Sequence, residues 1–329
     1  MTDGTQQPGF VRCRVSINPL YWDEYGDRLQ ALREACPRVQ LDGEQQRGSP
    51  RAKEHRWRDE WGCLWHFPGM YLDGAVVEHP LASWDDFDDW QPPDVGPRVE
   101  AIHKQAEEAR AAGRPVAGAG FEHGFLFLRL TYLRGFNNFM LDVADEDPRL
   151  FELRDIVTDY WLAVAQAHLD CGATHIGGGD DLGIQDRLPI SPASWRALIK
   201  PGFDRIFAPA RERKAEIRLH TDGYIVDIIP DLIELGVTAL NPQDLVNGLD
   251  TLAALAKGQV HIILDIDRQS VTVLGTPAQV DAHIHNCIRT LGSPDGGLSL
   301  VYGVYPGTPV PNIEAAVRAM EACCDMWVR

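Results

Sequence analysis

From Val116 onward, short apolar or β-branched runs alternate with longer stretches whose apolar residues recur at helical spacing, and loops of small residues separate the two. The runs cover 116–121, 174–178, 216–220, 237–241, 260–265 and 298–302. This rhythm predicts parallel strands joined by crossover helices. The helices carry their own start signals. Asp147-Pro148 and Ser191-Pro192 each place a capping side chain before a proline at the first helical position, and Thr276-Pro277-Ala278-Gln279 has the spacing of a capping box. Gly172 closes the helix that Asp147 opens.

The residues before this stretch follow no such rhythm. A short helix is expected over 25–36, a charged loop over 42–58, and a hairpin in which 61–65 and 71–78 alternate about Asp73-Gly74. An acidic, proline-closed linker follows over 85–94. The expected fold is therefore α/β: a distorted (β/α)8 TIM barrel over 96–329, with an N-terminal helical and hairpin cap over 1–95 packed on it as a single domain. Six units are clear, so a barrel needs two further strands, irregular or near the hairpin. An open doubly wound sheet is the other architecture, weakened because no Gly-x-Gly-x-x-Gly follows the first strand. No nicotinamide or flavin is expected.

Composition narrows the function. The 329 residues are 44% apolar and 24% charged, enough to bury a large core. The 48 acidic against 31 basic side chains give a net charge of −17, which repels nucleic acid and anionic lipid but leaves one pocket free to bind a small acid. No apolar run approaches the roughly 20 residues of a membrane span, and Met1 to Phe10 is polar, so a cytoplasmic protein is expected. Seven cysteines without a Cys-x-x-Cys pair suit reduced thiols, with Cys323 and Cys324 in packing roles. Trp57, Trp61, Trp65 and Phe67 are expected in the core.

In either architecture the catalytic edge is the carboxyl end of the strands. The polar residues there are Glu122 and His123, then Asp180, Asp181 and Gln185, then His220 and Asp222. Asn241 and Gln243, Asp265, Asp267 and Gln269, and Tyr302 and Tyr305 complete the set. Each has an ordinary structural role open to it, as a cap or a satisfied core group. Gathered on one rim, they are costly to bury unless they meet a ligand, a metal or one another. Asp180 and Asp181 follow three glycines and can bind a cation or share a proton. His220 and Asp222 lie two apart on a strand end, as ligands of one metal or as a base and its orienter. Asp265 and Asp267 repeat that spacing, as a hard cation site or with one aspartate capping the next helix.

Asp180-Asp181-Leu182-Gly183-Ile184-Gln185, Ile190-Ser191-Pro192 with Trp195 and Lys200-Pro201, and His220-Thr221-Asp222-Gly223 resemble the uroporphyrinogen decarboxylase superfamily, closest to its corrinoid-linked methyltransferase branch. Agreement continues through the segment from Ile229 to Gly236, Asn241-Pro242-Gln243, Asp265-Ile266-Asp267 and the segment from Pro311 to Ala315. The resemblance implies a distorted (β/α)8 barrel with its cleft at the strand carboxyl ends. Two departures bear on activity. The Arg-Gln-Ala-Gly-Arg signature of porphyrinogen decarboxylases is absent from Met1 to Arg58. The zinc-binding His-x-Cys of the methyltransferase branch is matched at His220, but Asp222 stands at the second position, and no cysteine lies between Tyr302 and Pro309.

The resemblance thus implies methyl transfer from a small methoxylated or methylated compound to a corrinoid carried on a separate protein, since no length remains after the barrel for a cobalamin-binding domain. His220, Asp222 and Asp265 would hold a divalent metal such as zinc, and Asp180 and Asp181 would position the leaving oxygen. Glu122, His123, Gln185, Asn241, Gln243, Asp267, Gln269, Tyr302 and Tyr305 would bind substrate. One alternative is decarboxylation of a porphyrinogen or other carboxylated substrate, with Arg129, Arg134 and Arg187 as the cations. A barrel that binds a ligand without turning it over is the other. Decarboxylating members pair as dimers, which makes a homodimer an expectation.

Overall fold

In a computed structural model of the chain, residues 8–328 are described, with the exception of Ala117. Among them, eleven strands occur in chain order: β1 (Arg12–Ile17), β2 (Val39–Asp42), β3 (Glu54–Arg58), β4 (Leu64–Pro68), β5 (Ala75–Glu78), β6 (Ala119–Gly120), β7 (His175–Gly179), β8 (Glu216–Thr221), β9 (Ala239–Pro242), β10 (His261–Asp265) and β11 (Leu298–Val304). The chain divides into two compact units. The first comprises Met1–His55, Phe67–Gly74 and Asn241–Arg329; the second comprises Arg56–His66 and Ala75–Leu240.

In the first unit β2, β1, β11 and β10 lie side by side in that order, all parallel. β1 alternates strictly: Cys13, Val15 and Ile17 are buried, while Arg12, Arg14 and Ser16 take the other face. β11 does the same, burying Leu298, Leu300, Tyr302 and Val304. The helices Pro277–Leu291 and Val310–Cys323 pack on each other through buried Ile284, Ile288, Ile313 and Met320. The expected capping box is formed: Thr276 Oγ1 accepts from Gln279 N, and Gln279 Oε1 accepts from Thr276 N.

In the second unit β6, β7 and β8 are parallel neighbours, with Gly120 opposite Gly177 and Gly179 opposite His220. The helices Pro148–Asp170 and Lys200–Arg213 pack on each other and on these strands, around Phe125, Trp161, Phe203 and Phe207. Asp147 caps the first of them by accepting from Arg149 N. β4 and β5 form the expected hairpin, pairing Trp65 with Val76. Its connection runs from Gly69 to Gly74 rather than through a two-residue Asp73-Gly74 turn, with Met70 and Tyr71 both at positive φ.

All six runs expected as strands form one, and parallel pairing with helical crossovers makes the chain α/β in the manner of a (β/α) barrel. Two findings differ from expectation. β1 and β2, the two further parallel strands, lie in the stretch read as a cap. The compact units also do not divide at residues 95 and 96. The Arg-Cys-Arg-Val-Ser-Ile alternation of β1 is charged on one face and so lacks the apolar run that marks a doubly buried parallel strand. Trp61 is buried as expected, whereas Trp57 stands 55% exposed.

Candidate functional site

Three strand ends of the second unit bring a cluster together. The chain leaves β6 through Phe121, Glu122 and His123, leaves β7 through Asp180 and Asp181, and leaves β8 through Asp222 and Gly223. Backbone bonds tie these exits: Phe121 N donates to Gly177 O at 2.7 Å, Gly124 N to Gly179 O at 2.8 Å, and Asp180 N to His220 O at 3.0 Å. Gly179 is required here, because a Cβ on it would stand 2.4 Å from the His123 ring and 3.1 Å from the His220 ring. Gly183 and Gly223 cross so closely that a Cβ on Gly223 would lie 2.2 Å from the Gly183 carbonyl carbon.

Asp181 is the centre of the cluster. Its Oδ1 lies 3.2 Å from His123 Nε2 and 3.8 Å from His220 Nε2, and it accepts from Asp222 N at 3.0 Å. Asp222 Oδ1 is 3.4 Å from His220 Nε2. One ligand atom from each of His123, Asp181 and His220 falls within 4.8 Å of the others. Burial pushes the Asp181 carboxyl up, but the hydrogen bond to His123, the His123 and His220 charges and the Asp222 N–H outweigh it, so its pKa lies below the usual carboxylate value. The same hydrogen bond raises His123 above its ordinary value, against the opposing effect of burial. Two imidazoles and a carboxylate, without a thiolate, form a donor set that fits a divalent cation of borderline or hard character.

The neighbouring carboxylate has a different task. Asp180 is fully buried and accepts from Leu126 N, Phe127 N and Leu128 N at 3.1, 2.5 and 2.9 Å, so it caps the helix Phe127–Arg134. Burial pushes its carboxyl up to about 7, even though the Leu128 and Phe127 amides pull it down. Three backbone amides therefore hold the Asp180 oxygens that were expected to position a leaving oxygen. Glu122 is paired with Arg98 and Arg129, and Gln185 is exposed.

The first unit carries a polar cleft of about 390 Å³ at the carboxyl ends of its strands. Arg14 and Ser16 of β1, Asn241 of β9, Asp265 of β10, Gly303 of β11, and Arg268 and Tyr305 line it. Arg268 is held between Asp265, 3.0 Å away, and the Tyr305 ring, whose centroid lies 5.5 Å from its Cζ. Asn241 donates from its side chain to Ile263 O. Tyr302 also borders the cleft but is buried, and burial pushes its hydroxyl up to about 12.

Several expected residues lie away from this chemistry. Asp267 accepts from Ser270 N at 3.0 Å and Thr272 N at 3.3 Å, which makes it the cap of the turn into Val271–Leu274. Gln243 pairs through its backbone with Asp265, and Gln269 is exposed. Asp265, one of the expected metal ligands, borders the first unit's cleft 3.0 Å from Arg268, and the other two, His220 and Asp222, lie at a strand end of the second unit. The arginines proposed for a carboxylated substrate are used elsewhere. Arg129 is buried against Asp59, Arg134 is buried against Asp142, and Arg187 is exposed beside Asp186. Arg14 and Arg268 join the cleft beyond the residues expected from sequence, and alternation along β1 and the i, i+3 spacing from Asp265 are their signals.

Comparison with known proteins follows the same lines. The sequence profile of the family described as uroporphyrinogen decarboxylase (URO-D) matches residues 62–323. Uroporphyrinogen decarboxylases of Synechococcus sp. (strain CC9605) and Parasynechococcus marenigrum (strain WH8102) are each 27% identical over 139 residues, 40% of this chain and 40% of theirs. The match thus spans 40% of the length of these curated relatives. Among solved structures, a methyltransferase from Methanosarcina mazei is similar with a TM-score of 0.57, covering 80% of this chain and 76% of that one at 17% identity. At that identity the likeness is one of fold.

Proposed function

The chain belongs to the uroporphyrinogen decarboxylase family, matched over residues 62–323, and from that premise we propose that it transfers a methyl group from a small methoxylated or methylated compound to a corrinoid carried on a separate protein. The observation that carries the proposal is the thiolate-free cluster of His123, Asp181 and His220, whose ligand atoms lie within 4.8 Å of one another. A divalent cation held there would polarise the substrate's ether oxygen and make it a better leaving group.

The chain's own residues do the rest. Asp181 stands beside both imidazoles, 3.2 Å from His123 Nε2 and 3.8 Å from His220 Nε2, and the Asp222 amide fixes Asp181 in turn. His123 would give up its proton on becoming a ligand, so loading of the site would be coupled to proton release. Asp222, beside His220, is the group placed to orient that ring or to receive a proton. With no thiolate among the donors, the site suits an oxygen leaving group better than activation of a thiol acceptor.

The test is a demethylation assay with a reduced corrinoid protein. Chelation should abolish turnover, added divalent metal should restore it, and His220→Ala should lower the rate by roughly 100-fold or more. Full activity in His220→Ala would end the proposal. Decarboxylation of a carboxylated substrate is favoured by one observation, the arginines Arg14, Arg51 and Arg268 lining the first unit's cleft. Each is paired with an aspartate, Asp42, Asp73 and Asp265 respectively, which leaves little charge for an incoming carboxylate. Carbon dioxide release from uroporphyrinogen would decide for that reaction.

A further inference from the structure

We infer that the first unit contains a second metal site, built from Asp244, His283 and Cys287, that takes a thiophilic divalent cation such as zinc. His283 and Cys287 stand four residues apart on the helix Pro277–Leu291 and so project from one face of it. Asp244 opens the short helix Asp244–Asn247. Asp244 is 1% exposed, and Cys287 is fully buried. His283 Nε2 lies 2.6 Å from Asp244 Oδ2 and 3.6 Å from Cys287 Sγ, and one ligand atom from each residue falls within 4.8 Å of the others.

Two features separate this cluster from an ordinary buried Asp–His couple. First, carboxylate and sulfur converge on the same ring nitrogen. That nitrogen carries either one proton or one lone pair, so it cannot hold both neighbours by conventional hydrogen bonds, whereas a cation among the three can bond to all of them. Second, the charges close. A thiolate and a carboxylate offset a dication, so the loaded site is neutral and its burial is not penalised as an isolated charge would be. Without metal, the surroundings push the Cys287 thiol well up, chiefly through burial. Metal binding displaces that thiol proton to solvent, and no redox partner is needed. The clip joins the segment three residues after Asn241, which lines the cleft, to the helix Pro277–Leu291, and so pins the carboxyl end of β9.

The cluster of His123, Asp181 and His220 holds no sulfur, so a thiolate signal does not come from it. Cobalt titrated into the metal-stripped chain should develop a near-ultraviolet thiolate-to-cobalt charge-transfer band that saturates at one equivalent of sulfur-bound metal. The band should vanish in Cys287→Ser and require at least tenfold more cobalt in His283→Gln. No band in the wild-type chain, or an undiminished band in Cys287→Ser, overturns the inference. Should the serine variant fold poorly, X-ray absorption of the His220→Ala chain loaded with one equivalent of cobalt gives an independent answer. A single sulfur in the shell supports the site; a shell of nitrogen and oxygen alone, or one with two or more sulfurs, overturns it.

Discussion

At the scale of single residues, the chemistry turns on the His123–Asp181 pair. His123 titrates above its ordinary 6.5 in the folded chain. The stability it contributes is therefore fully present below that value and is lost as pH rises through the folded one. Thermal unfolding followed against pH should show this decline in the wild-type chain and its absence in His123→Gln. Cation affinity should run the opposite way, strengthening by about tenfold per pH unit until His123 has lost its proton. Asp180 makes a contrasting prediction. Asp180→Ala strands three amides at a buried helix start and should cost about 1–3 kcal/mol in denaturant unfolding. The same variant should still bind metal at the His123, Asp181 and His220 cluster. Both aspartates were legible as strand-end carboxylates. Their division of labour was not, because which one turns inward to a helix start depends on where Leu126 to Leu128 fall in space.

Elements show a similar boundary between pattern and placement. The strands β7 to β11 stood out because apolar runs and small-residue loops mark doubly covered parallel strands. β1 hid behind its arginines, and the face that concealed it is the face that lines the cleft. The hairpin of β4 and β5 is visible as alternation, but its turn differs from the expected one because Met70 and Tyr71, not Asp73-Gly74, take the left-handed backbone. What anchors this region is Asp59. It receives Trp61 N, Cys63 N, Trp65 Nε1 and the buried Arg129 guanidinium. Removing Arg129 leaves Asp59 and its bonds without a counter-charge in the interior. Arg129→Ala should lower unfolding stability by about 3–5 kcal/mol. In a double-mutant cycle with Asp59→Asn the two losses should fall well short of adding. Strict additivity would show that the pair is not the anchor.

The whole molecule is an acidic chain with a net charge of −17, and none of its described helices is long and apolar enough to cross a membrane. Family and fold class were legible from separated motifs, because glycines and strand-end polar residues are fixed by close approaches such as that of Gly183 and Gly223. The reaction was not, since family membership constrains the scaffold and not the chemistry placed upon it. A cation that binds only the folded chain should raise its stability by about 2.7 kcal/mol at a hundredfold excess over Kd, read as an upward shift in Tm that chelator reverses. The most direct test of the central claim is calorimetric titration of divalent metal into the metal-stripped Cys287→Ser chain, with and without His220→Ala. One equivalent bound in the former and lost in the latter is the predicted result. No binding, or binding indifferent to His220, would contradict the assignment of His123, Asp181 and His220 as the metal centre.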